Sequence, residues 1–246
     1  MKIIGISGRK QSGKNTAANY INGVILKQRN MIEDFKINDD GALEIYTTNS
    51  NDQKGWGIFD VCRKDKEFVQ YADHELWPYI KVYHFADALK DMSSSLFGLK
   101  TENLYGTDKQ KNSKTQIRWS DLPTDENKDG YITYREFLEY FGTKIIRKIK
   151  NDAWVNTTIV KVFNENSDLA IIPDVRFPNE VQAIKDNGGV VIRLTRNICK
   201  STVECESALD KDKFDWSMFD HVIDNENFSI TDTCRELDKI NHIWKS

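Results

Sequence analysis

No CxxC pair occurs anywhere in the chain. Its four cysteines, Cys62, Cys199, Cys205 and Cys234, and its four histidines form no cluster with metal-ligand spacing. Neither a zinc site nor a disulfide framework is therefore indicated, and such cysteine usage fits a reducing cytoplasm. No stretch approaches the ~20 apolar residues of a membrane span. "MKIIGISG" meets glycine too early for a signal peptide, so a cytoplasmic location is expected. There is no excess of either charge: 35 basic residues face 38 acidic ones, a formal charge of −3. This excludes the global basic field that nucleic-acid or membrane-surface partners call for. Any anion must be gripped locally. Internal repeats and low-complexity tracts are also missing.

What is there is a chain of 246 residues, 39% hydrophobic and 30% charged, long enough to bury a real core as a single domain over 1–246. Short apolar runs rich in β-branched residues recur at "KIIGIS", "IKVYHF", "LAIIPDV", "GVVIRL" and "HVID". Most lead into segments with helical spacing, the alternation of an α/β protein. "PNEVQAIKDNGG" between two of the runs completes a compact βαβ unit. The expected fold is a doubly wound sheet of five parallel strands. Residues 30–79 break the rhythm. There "FKINDDGALEIY" reads as a hairpin and "GWGIFDV" as a further strand, so an inserted β-rich subdomain is expected. The polar stretch Gly106–Gln116 reads as a loop.

The chemistry is concentrated in "KIIGISGRKQSGKNTAANYI", a strand, a glycine-bounded loop and a helix start. Gly8, Ser12, Gly13 and Lys14 have the spacing of a phosphate-binding P-loop. Glycines let backbone amides close around phosphate oxygens, the helix N-terminus adds partial positive charge, and Lys14 can span β- and γ-phosphates. After Lys14 the motif normally places Ser or Thr for Mg²⁺. Here Asn15 stands in that slot and Thr16 follows; adjacent helix residues point about 100° apart, so Asn15 is expected nearest the metal, with Thr16 packing or capping. A second acidic element ends the run "LAIIPDVRFPNE": Asp174 sits where a carboxylate would hold magnesium-bound water, with Arg176 beside it. The plainer reading is that Asp174 and Glu180 cap the next helix and Arg176 pairs with them. "VYHFADALKD" adds Asp87 and Lys90 at a helix start, and "EYFGTKIIRKIKNDAW" adds Arg147 and Lys148 on a helix. Singly these are ordinary solvated charges. Together they suit a kinase, which neutralises the phosphates on both sides of an in-line transfer.

Taken in order, "GRKQSGKNT", "HFADALKD", "LYGTDKQKN", "REFLEYFGTKIIR" leading to "DAWVN", "PDVRFPNEVQAIKDNGGVVIRLTR" and "FDHVIDN" resemble the phage-type deoxynucleoside monophosphate kinases. The resemblance covers most of the chain outside the inserted region. It implies a P-loop kinase fold and ATP- and Mg²⁺-dependent phosphorylation of dNMPs, in the host cytoplasm if the chain is phage-encoded. It further implies that Lys14 binds ATP phosphates, that Asp87, Lys90, Arg147 and Arg176 face the nucleotide site, and that Arg193 or Arg196 borders the lid. Where relatives carry a His-x-Ser-Glu stretch, this chain has "VECE", keeping only Glu206. The expected partner is a small-molecule dNMP, with no nucleic acid and no membrane. The oligomeric state stays open, a homodimer among the alternatives.

Two other readings stay in play. One is a P-loop kinase with a different small-molecule acceptor. The other rests on "DENKDGYITYREF", whose Asp125, Asn127, Asp129, Thr133 and Glu136 match positions one, three, five, nine and twelve of an EF-hand calcium loop, with Gly130 at six. That would make the protein a calcium-regulated nucleotide binder using 125–136. Against it, Pro123 falls where the incoming helix should be ending, and Thr133 with Glu136 reads equally well as a capping box.

Overall fold

The computed structural model of the protein describes residues 1–48, 52–125, 128–198 and 207–244. The described chain divides into two compact units, Met1–His84 together with Ile159–Ser246, and Phe85–Thr158. The five apolar runs form the sheet of the first unit. They are β1 (Lys2–Ser7), β5 (Ile80–Val82), β8 (Leu169–Val175), β9 (Val190–Leu194) and β10 (His221–Ile223), in the order β10-β9-β1-β8-β5. Every neighbouring pair is parallel. This is the expected doubly wound α/β sheet. Strands buried on both faces cannot alternate, which is why they read as unbroken apolar runs. Ile4, Ile6, Ile171 and Ile192 are all in its core.

One strand departs from regular pairing. Along β1 and β8, Gly5 faces Ile172 but Ser7 faces Val175, so Pro173 and Asp174 together oppose Ile6. Proline has no N–H for a ladder and is tolerated inside a sheet at such a bulge. Pro173 thereby fixes where the regular strand ends and Asp174 begins.

Residues 30–79 form the antiparallel sheet β2 (Asp34–Ile37), β3 (Leu43–Thr48) and β4 (Lys54–Ile58). They also contain a helix, α2 (Lys66–Glu75), capped by Asp65, which accepts from the Phe68 amide. The hairpin braces α1 (Lys14–Gln28), the helix after the glycine-bounded loop. Phe35 meets the Tyr20 ring at 5.7 Å, and Asn19 Nδ2 donates to the Gly41 carbonyl at 2.9 Å.

The second unit carries α3 (Asp87–Phe97), α4 (Thr101–Tyr105) and α5 (Asp108–Lys111). An antiparallel ladder of β6 (Lys114–Arg118) and β7 (Tyr131–Thr133) follows. One continuous helical run then comprises α6 (Tyr134–Glu139), a π-helix (Tyr140–Ile146) and α7 (Arg147–Ile149). α8 (Ala153–Glu165) starts in this unit and ends in the first. Its core is aromatic, with Trp119, Tyr134, Phe137 and Tyr140 around Leu99, Leu104 and Ile132. The stretch Gly106–Gln116, expected as a loop, is instead α5 and the start of β6. Thr107 and Gln110 form a capping box, each side chain bonding the other's amide. No helix among the described residues is long and apolar enough to cross a membrane.

The EF-hand lookalike lies in this unit. A strand and the 3₁₀ turn Trp119–Asp121 lead into it, where a calcium hand has a helix. Its second half is the capping box: Glu136 Oε2 accepts from the Thr133 amide at 2.9 Å and hydroxyl at 2.8 Å. In return Thr133 Oγ1 accepts from the Glu136 amide at 3.2 Å. Asn127 lies outside the described residues. Burial pushes the Glu136 carboxyl up, but the two hydrogen bonds from Thr133 outweigh it and hold the group below its ordinary range.

Candidate functional site

Because β1, β8, β9 and β10 run parallel, the loops after them leave the sheet at one edge, where ligands of open α/β sheets bind. The first of these is the glycine-bounded loop. Gly13 caps α1 with φ +97°, a left-handed backbone that favours glycine. Lys14 is only 8% exposed. Its Nζ folds back over the loop, donating to the carbonyls of Gly8 at 2.7 Å and Arg9 at 2.6 Å. Asn15, at the next position of α1, is exposed. Thr16 is packed against the hairpin: a Cβ on Gly41, at φ +78°, would come within 2.3 Å of Thr16 Oγ1. The two candidate metal ligands thus point into different surroundings.

At the end of β8, Asp174 and Arg176 are half-buried. The amides of Arg176 and Phe177 donate to Glu180 Oε2 at 2.7 and 3.1 Å. Glu180, 2% exposed, is therefore the carboxylate that starts α9 (Pro178–Asp186). At the end of β9, buried Arg193 donates to Ser7 Oγ at 2.9 Å. Its guanidinium lies 5.4 Å from the Trp216 ring and 5.7 Å from Phe219. Arg9 of the loop pairs with Asp210, its Nε 3.1 Å from the carboxylate. Arg196, three residues further, is held by Asn225: its backbone amide donates to the Asn225 side-chain Oδ1 and its Nε to the Asn225 carbonyl, at 2.9 and 3.1 Å. Glu206 lies outside the described residues.

Two residues to which the sequence reading assigned no role complete this edge. Asn225, 1% exposed, follows β10 and donates from Nδ2 to the Ser12 carbonyl at 2.9 Å. One amide side chain therefore ties the glycine-bounded loop to the Arg196 segment. Asp210 ties the same loop to the segment before β10. Both bonds span more than 200 residues, so no local pattern could have shown them.

The remaining sequence candidates belong to the second unit. Asp87 and Lys90 share the first turn of α3, 3.7 Å apart. Lys90 Nζ sits 4.3 Å from the centre of the Tyr105 ring, and Tyr105 Oη donates to Asp91 Oδ1 at 2.7 Å. Burial first, then the charges of Asp87 and Asp91, raise the Tyr105 phenol far above its ordinary range, so it stays a donor. Tyr105 lies in the stretch "LYGTDKQKN", where the sequence assigned it no role of its own. Arg147 is half-buried, and its Nη1 donates to the Asn151 carbonyl at 3.3 Å. The structure brings Lys14, Asp174, Arg176 and Arg196 to one sheet edge. Asp87 and Lys90 lie side by side on α3 in the other unit, which also contains Arg147.

A family model described as deoxynucleotide monophosphate kinase matches residues 2–229. A protein of Acanthamoeba polyphaga mimivirus named as a deoxynucleotide monophosphate kinase is 31% identical over 127 residues. The match covers 46% of this chain and 58% of that relative.

Proposed function

Since the chain belongs to the deoxynucleotide monophosphate kinase family, we propose that it transfers the γ-phosphoryl group of ATP to a deoxynucleoside 5′-monophosphate, yielding ADP and a dNDP. The observation that carries this reading is Lys14, held nearly buried over the loop by the carbonyls of Gly8 and Arg9. Those neutral acceptors are easily exchanged for anionic phosphate oxygens, which make stronger bonds to an ammonium. Amides of residues 8 to 14 and the start of α1 cradle the donor. Asn225 holds that loop in shape. Arg147 and Arg176 neutralise the acceptor, with Asp87 and Lys90 orienting it. No covalent intermediate is needed, because positioning and charge neutralisation carry phosphoryl transfer.

Asn15 and Asp174 supply the hard oxygen donors that Mg²⁺ takes, and Thr16 is engaged by the hairpin instead. When bound, the ion neutralises phosphate charge. The test is ADP release across a panel of deoxy- and ribonucleoside monophosphates at graded Mg²⁺, with and without a calcium-selective chelator. Turnover with dNMPs that requires Mg²⁺ and ignores the chelator is expected. Turnover confined to another acceptor would overturn the substrate reading, and chelator sensitivity would reinstate the calcium loop.

A further inference from the structure

The helical run that carries Arg147 is not α-helical throughout, and its irregular part is held by a side chain from another helix. Between Tyr140 and Ile146 the backbone is a π-helix. There the Arg147 amide donates to the carbonyl of Gly142, five residues back, where an α-helix would use a carbonyl four back. That same Gly142 carbonyl accepts a second bond, from the indole Nε1 of Trp154 at 3.2 Å, and the pair is buried. Gly142 also has a steric role. A Cβ there would lie 2.5 Å from Leu89 Cδ2, and Leu89 stands between Asp87 and Lys90 on α3. One glycine therefore takes the α3 side chain against its bare face and takes both N–H groups on its oxygen.

We propose that Trp154 is a positioning residue for the acceptor site, acting on Arg147 through the Gly142 carbonyl. This rests on the reading of Arg147 as an acceptor ligand. The indole N–H gives the carbonyl a second donor that lies outside its own helix. That stabilises the wider turn against reverting to four-residue bonding. Reversion would carry Arg147 about 100° around the helix axis relative to α3, since each residue of an α-helix advances by that angle. The guanidinium would then turn away from its present bearing, in which Nη1 donates to the Asn151 carbonyl at 3.3 Å. π-turns cost hydrogen-bond geometry and persist at functional sites, which agrees with one placed just before the arginine.

The test uses the full-length protein and a cycle of Trp154→Phe, Arg147→Ala and the double variant, with KM for dNMP, KM for ATP, kcat and melting temperature measured on each. Phenylalanine keeps an aromatic ring but removes the donor and part of the buried ring volume, and the void registers in the melting temperature whether or not Arg147 is present. Trp154→Phe is expected to raise the dNMP KM about five- to tenfold, the scale of one hydrogen bond, while leaving the ATP KM unchanged. In the Arg147→Ala background the same change is expected to do nothing further to the dNMP KM. If Arg147→Ala raises the dNMP KM but Trp154→Phe lowers only the melting temperature, the inference is overturned and the acceptor reading stands. An equal Trp154→Phe effect with and without Arg147 would overturn it as well. If Arg147→Ala leaves the dNMP KM untouched, the acceptor role of Arg147 fails, and the inference with it. Should Trp154→Phe not fold, Trp154→Met, which has no side-chain N–H, is put through the same cycle, and a dNMP KM effect that is absent, or equal with and without Arg147, overturns the proposal.

Discussion

Two loops of this molecule each satisfy a short functional pattern residue by residue: the glycine-bounded loop from Gly8 to Lys14 and the acidic loop from Asp125 to Glu136. In both, the chemically important side chain is bonded to its own loop. Lys14 donates to two carbonyls, and Glu136 accepts from Thr133. The difference lies in what a ligand would displace. An incoming phosphate replaces neutral acceptors with charged ones and leaves the loop intact. An incoming calcium ion would take Glu136 from the helix start it secures, leaving the Thr133 amide without its bond. The flanks agree with this division. A buried strand and a long helix frame the first loop, while a strand and a 3₁₀ turn lead into the second. A motif is licensed by the elements on either side of it.

The largest effect that could break this comparison is expected from Lys14→Ala, which should cut turnover roughly 10³-fold or more, as the loss of a phosphate-neutralising cation does in phosphoryl transfer. Its melting temperature should change little. Near-normal ADP release from the folded variant would reduce the first loop to the status of the second. Asn225→Ala comes next. It leaves the buried Ser12 carbonyl and the Arg196 amide unpaired, so a loss of about 1–3 kcal/mol in stability is expected, with a raised ATP KM. Denaturant unfolding and steady-state kinetics check both. Asn15→Ala should raise the Mg²⁺ needed for half-maximal rate by about tenfold, whereas Thr16→Ala should not. The reverse pattern would place the metal on the hairpin side of α1.

On the acidic loop, Thr133→Ala removes a helix cap and should cost about 1 kcal/mol without changing kcat per folded molecule. The pH dependence sharpens it. A carboxyl held below its ordinary range adds stability that is present above the unfolded value and lost as pH falls through the folded one. The stability gap between wild type and Thr133→Ala should therefore shrink on acidification, and a gap constant down to low pH would deny Glu136 its part in the cap. Smallest of all, the Asp125→Ala, Asp129→Ala double variant should change stability by no more than about 0.5 kcal/mol and leave kinase activity as it was. A calorimetric calcium signal at micromolar concentration, lost in that variant, would restore the EF-hand reading.

The sheet was legible because strands buried on both sides must be apolar throughout, and all five runs became its strands. The hairpin at 34–48 was legible from alternation around Asp-Asp-Gly. α2 was not, since only Phe68 and Ala72 are buried along it, too few to stand out in a region of short alternating runs. The stretch Gly106–Gln116 was misread because its order comes from a capping box and from pairing with β7, neither of which needs apolar residues. Of the candidate site, the positions of the loop and of the acid near the end of β8 could be read from the strands that carry them. Asn225 and Asp210 could not, because what they do depends on partners at the opposite end of the chain. The π-helix was equally hidden: "EYFGTKIIR" has the composition of any amphipathic helix, and the donor that holds it, Trp154, lies beyond a break in the helical run.

Pro173 has a consequence for how the protein avoids being built wrongly. A strand with one wet face is aligned by its own polarity, because slipping a single residue would drown its apolar side. β8 is buried on both faces up to Pro173, so polarity gives it no such correction, and several alignments against β1 would bury similar side chains. The proline breaks that degeneracy. Moved one place along, its missing N–H would fall within the regular ladder and leave a β1 or β5 carbonyl without a donor. A residue with no catalytic atom thus acts as a stop on the ruler. It ensures that the carboxylate following it reaches the sheet edge at the same height in every molecule that folds.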